Sequence, residues 1–115
     1  MIASAMPAWA QVSAPTIANN ITANAVPSAT QGREAYLKNG CWQCHDFVGQ
    51  GGVAGPKLAP EPKPLAFYAV FIRHTQGIMP PYSEKLLSKA ELADIHAYLS
   101  ALPKGPDVKT IPLLN

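Results

Sequence analysis

Leu92, Ile95, His96 and Leu99 recur at three- and four-residue intervals, so that one face of the segment they occupy is largely apolar. Ser88-Lys89-Ala90-Glu91 precedes them as a capping box, with the hydroxyl at the cap and a carboxylate three residues on, and Pro103 stops the run. This is the clearest helix of the chain. A second apolar stretch, LAFYAVFIRHT over 65–75, predicts about three helical turns. Gly77 ends it, and Pro80-Pro81 prevent its resumption. A third helix is expected over 31–39, capped by Ser28 or Thr30 and closed by Gly40. Residues 46–64 hold four Gly and four Pro and read as an irregular loop, with Pro60, Pro62 and Pro64 excluding a helix interior. No strand pattern or internal repeat is visible, and the fold class is all-α.

The flanks differ in kind. Residues 1–10 resemble the end of a secretory signal peptide, with Ala8-Trp9-Ala10 as the small-x-small cleavage pattern; the rival reading is a disordered extension. Residues 11–30 carry no charge and are rich in Ala, Asn, Thr, Ser and Pro, which reads as a flexible leader. The folded domain is then 31–103, and the tail 104–115 shows no pattern. Such a domain is expected to be exported across the inner membrane to the periplasm.

At 115 residues there is room for one small domain, which needs stabilisation beyond its own core. A net charge of +2 gives no footprint for nucleic acid, and no apolar run is long enough to span a bilayer. Two cysteines are too few for a four-thiolate zinc site or an iron–sulfur cluster from one chain.

Those two cysteines carry the chemistry. Cys41-Trp42-Gln43-Cys44-His45 is C-x-x-C-H, the pattern of covalent c-type haem attachment. Thiols three positions apart on one helical turn can reach the two vinyl groups on one porphyrin edge, and His45 follows as an axial ligand. A thiol–disulfide site would normally follow a strand, and a structural disulfide here would close a loop too short to gain much. Met79, 34 positions after His45 and between a helix and two prolines, is the candidate second ligand, a thioether that raises the reduction potential. His74 and His96 are rivals better suited to capping and packing. Around the iron, the Pro56 carbonyl can accept from the His45 ring, and Arg73, Tyr68 and Tyr82 are candidates for the haem propionates.

From Gly32 to Leu102 the chain resembles the class I c-type cytochromes. Gly32 and Tyr36, with Ile95 and Tyr98, match the family's crossing of N- and C-terminal helices; Gly55-Pro56 and Met79-Pro80 match its proximal proline and distal Met-Pro turn. The short distance from His45 to Met79 is similar to that in the small cytochrome subunits of bacterial dehydrogenases such as p-cresol methylhydroxylase. The resemblance implies a small fold of three or four helices around one haem c, and a single-electron carrier rather than an enzyme. Its donor would be a dehydrogenase, and its acceptor another cytochrome or a terminal oxidase. The alternative is a haem enzyme or gas sensor with an open distal site. A ring of Trp42, Val53, Ala54, Ile78, Pro80 and Pro81 is expected near the exposed porphyrin edge as the docking surface.

Overall fold

A computed structural model describes residues 26–114; the signal-peptide reading of residues 1–10 and the leader reading through residue 25 lie outside the described residues. The described residues form four α-helices, α1 (Ala29–Lys38), α2 (Trp42–His45), α3 (Leu65–Phe71) and α4 (Lys89–Ala101), followed by two 3-10 turns at Val108–Thr110 and Pro112–Leu114. There is no strand among the described residues, so the all-α expectation holds.

Helix α1 begins two residues before the sequence pattern places it. Ser28 is the cap, its side-chain oxygen accepting from the Gln31 N–H, and its own N–H donates to Asp94 at 2.7 Å. That second bond ties the start of α1 to α4, so tertiary contact helps to set the boundary. Gly40, at φ +74°, takes the left-handed conformation that turns the chain out of α1 toward the cysteines.

Helix α4 starts where its capping box predicts. Ser88 Oγ accepts from the Glu91 N–H, and the Glu91 carboxylate accepts from the Ser88 N–H. Its buried residues are Leu92, Ile95, Tyr98 and Leu99, and with Ala35, Tyr36, Ala59, Ile72 and Leu87 they make the core. The core is centred on the crossing of α1 over α4. A Cβ at Gly32 would collide with the Asp94 carbonyl and come within 2.9 Å of the Ile95 nitrogen, so only glycine permits this approach. Beside it, the Tyr36 and Tyr98 rings meet with centroids 5.6 Å apart.

Helix α3 is shorter than the apolar stretch that predicts it. Beyond Ile72 the N–H groups of Arg73 and His74 bond three residues back, to Val70 and Phe71, which tightens the last turn away from α geometry. Arg73 Nη1 donates to the carbonyls of Tyr82 (2.9 Å) and Leu87 (2.6 Å), which draws this turn toward the next segment. No residue of α3 is buried, and Phe67 and Phe71 are 44% and 42% exposed.

Candidate functional site

A cleft of about 830 Å³ opens between α1, the loop after α2, α3 and α4. Its size is that of a cofactor site. Cys41, Cys44, His45, Pro56, Tyr68, Met79 and Tyr82 all line it, so seven of the eight residues singled out in the sequence come to one place. The apolar walls come from Phe67, Phe71 and Ile72 on one side and Leu87, Leu92, Ile95 and Leu99 on the other.

The proximal side is built by backbone turns. Helix α2 is a single turn, begun by Cys41 and closed by the His45 N–H on the Cys41 carbonyl at 3.0 Å. His45 is buried, and its Nδ1 lies 2.7 Å from the Pro56 carbonyl oxygen, to which it donates. Nε2 is therefore the nitrogen left with a lone pair. Gly55 makes the approach possible: a Cβ there would stand 3.0 Å from His45 Nδ1 and 2.8 Å from the Cys44 carbonyl oxygen. Gly51, at φ +79°, sends the loop back by donating its N–H to the His45 carbonyl at 2.9 Å.

Both cysteines are unpaired thiols, half-buried. Burial pushes the Cys41 thiol up to about 11. A thiol so held stays protonated at neutral pH, the reverse of the lowered value that makes a disulfide-exchange thiol reactive. Among the described residues, no three His, Cys, Asp or Glu side chains gather as a metal site.

On the other side, Met79 is half-buried and packs against the core. Its loop is anchored by Tyr82, whose N–H donates to the Ile72 carbonyl and whose hydroxyl donates to the Asn39 carbonyl at 2.8 Å. Burial raises the Tyr82 phenol, and the neighbouring Cys41 and Cys44 add to that. The Tyr68 hydroxyl accepts from the Lys63 N–H at 3.1 Å and keeps its own proton to offer. Arg73 alone among the eight lies outside the cleft lining, its Nη1 engaged by two carbonyls. His96 lines the cleft while donating from Nε2 to the Lys63 carbonyl at 3.0 Å, and His74 is exposed outside it.

Two contacts went unnoticed in the sequence. Trp42, between the cysteines, stacks on Phe47 at 4.7 Å and 14°. Asn39 provides the carbonyl that holds Tyr82, for which no residue pattern gives a signal.

A haem fits these residues. The two thiols, a histidine fixed through Nδ1 and a thioether share one apolar cleft, and the Gly55 cradle admits the carbonyl that orients the histidine. No curated protein and no solved structure matches the chain. The family described as cytochrome c oxidase, cbb3-type, subunit III matches residues 27–99, a span that takes in α1, the C-x-x-C-H turn, α3 and most of α4. With that match over more than half of its length, the chain belongs to this family of c-type cytochrome domains and is an electron-transfer haem protein.

Proposed function

We propose that the protein is a periplasmic carrier of single electrons, with one haem c bound through thioethers to Cys41 and Cys44 and ligated by His45 and Met79. The observation that carries this reading is the convergence of those four side chains on one cleft, with His45 Nδ1 already held by Pro56. When bound, the haem supplies an iron that alternates between ferric and ferrous states.

The chain's own residues then do four things. Cys41 and Cys44 retain the group, and His45 offers Nε2 in an orientation set by the Pro56 carbonyl. Met79 offers a soft thioether that favours the reduced state and fills the site where peroxide or oxygen would otherwise bind. The aromatic and aliphatic walls exclude water, which also raises the potential. Catalysis belongs to the partners: a dehydrogenase gives the electron, and another cytochrome or a terminal oxidase takes it. The family's own description, a cytochrome c oxidase subunit, agrees with the acceptor side. The narrower likeness to the small cytochromes of flavoprotein dehydrogenases such as p-cresol methylhydroxylase rests on the short interval between His45 and Met79.

The test is maturation in a periplasm that attaches haem c. The intact mass is expected to exceed the polypeptide by one haem, and acid–acetone should leave the colour with the protein. Free extraction of the haem, or a mass showing only a disulfide, would sink the assignment.

A further inference from the structure

The residue after His45 adopts an unusual backbone. Asp46 has φ +67° and ψ 161°, a region costly for any residue with a Cβ, and such a conformation persists only when its surroundings impose it. Two buried tyrosines supply that constraint. The Tyr36 hydroxyl, from α1, donates to the Asp46 carbonyl at 2.6 Å. The Tyr98 hydroxyl, from α4, donates to the next carbonyl, that of Phe47, at 2.9 Å. Tyr36 is 0% and Tyr98 8% exposed, so both donors reach out of the core to an exposed turn and tie it down from beneath. The Asp46 carboxylate completes the turn by accepting from the Phe47 N–H at 2.7 Å.

The same turn carries the acceptor of the histidine proton. The Asp46 carbonyl also accepts from the Gly49 N–H, and the Gly49 carbonyl accepts from Leu58 and Ala59, just beyond Pro56. A fixed Asp46 carbonyl thus fixes both ends of the His45–Pro56 bond: the ring through its own backbone, the carbonyl through Gly49 and the returning strand of loop. The geometry points to Tyr36 and Tyr98 as positioning residues that hold the His45 imidazole against Pro56 and so set how strongly it donates to iron. This rests on the reading of His45 as an iron ligand. A tight Nδ1–H···O bond makes the imidazole a better donor and favours ferric iron. Loss of the hydroxyls loosens that bond and raises the potential.

The test uses holoprotein carrying Tyr36→Phe and Tyr98→Phe, singly and together, which removes the hydroxyls but keeps the rings. The potential is expected to rise in the double variant. The His45 Nδ1–H, followed by NMR in the ferrous state, should exchange with solvent at least about tenfold faster, measured against the slowest α4 amides to cancel global opening. If the double variant does not assemble, Tyr98→Phe alone must show the same two shifts in smaller measure. A lowered denaturation midpoint with unchanged potential and unchanged relative exchange would reduce the tyrosines to helix packing and overturn the inference. Wild-type His45 ring protons lacking the large upfield shift of a haem ligand would overturn the proposed ligation, and this inference with it.

Discussion

Met79 and Glu91 show how much a single side chain decides here. As the proposed distal ligand, Met79 should give ferric protein the weak near-infrared band of a thioether–iron bond. Met79→Ala is expected to abolish that band, lower the potential and admit small ligands to the iron; a band that survives would assign the ligand elsewhere. Glu91 acts on stability instead. Hydrogen bonding to the Ser88 N–H, helped by Lys38 at 3.5 Å, holds its carboxyl below the usual range against a smaller opposing effect of burial. Because the folded value is depressed, its contribution is present above the ordinary carboxylate range and fades as pH falls through the folded value. Glu91→Gln can keep the capping hydrogen bond without the charge. The variant should therefore flatten the loss of stability between about pH 6 and about pH 3, read from urea midpoints of variant and wild type. Midpoints that fall in parallel would remove Glu91 from the acid transition.

At the scale of elements, the crossing of α1 and α4 carries the fold. Leucine at Gly32 would drive a side chain into the Asp94 backbone, which cannot retreat without opening the crossing. Gly32→Leu is expected to cost about 1–3 kcal/mol or more by chemical denaturation. An unchanged midpoint would place the close approach elsewhere. Losing the α4 cap through Ser88→Ala should cost about 1 kcal/mol. These elements were legible because their determinants are local: Ser88 and Glu91 announce α4, and the C-x-x-C-H spacing needs only one turn. The boundaries of α1 and α3 were not, because Ser28 reaches Asp94 and Arg73 reaches Leu87, partners 66 and 14 positions away. For the same reason Tyr36 and Tyr98 could be read as packing residues, while the destination of their hydroxyls could not. Hydrophobic period reports which face is buried and is silent on where a buried hydroxyl finds its acceptor.

For the whole molecule, the question is how an electron enters and leaves. Val53 is fully exposed and Ile78 93% exposed, and Ala54, Ile78 and Pro80 line the cleft. Trp42 is half-buried and stacked on Phe47, so it contributes less to this surface than its neighbours. Redox encounters use interfaces below about 1,200 Å² in total, where one apolar contact weighs heavily. Within 31–103 the chain holds seven Lys/Arg and six Asp/Glu, too even a balance for strong steering. Ile78→Lys is expected to slow reduction by the proposed donor, a dehydrogenase, in stopped-flow mixing, while spectrum and potential stay as in wild type. An unaltered rate with a steep salt dependence would move docking to a charged face.

The meeting of Gly32 with Asp94 also bears on the order in which the chain folds. Those residues are 62 positions apart, and closing so long a loop costs about 3.7 kcal/mol of chain entropy before any contact is gained. An iron held by both His45 and Met79 bridges the middle of that loop. It leaves 13 positions from Gly32 to His45 and 15 from Met79 to Asp94. The closure that remains is cheaper by about 0.7 kcal/mol, equivalent to roughly threefold in rate if the helices dock in the transition state. With the ligation proposed for Met79, that methionine is then also a folding staple, and Met79→Ala holoprotein should bring its terminal helices together about threefold more slowly than wild type after dilution from denaturant.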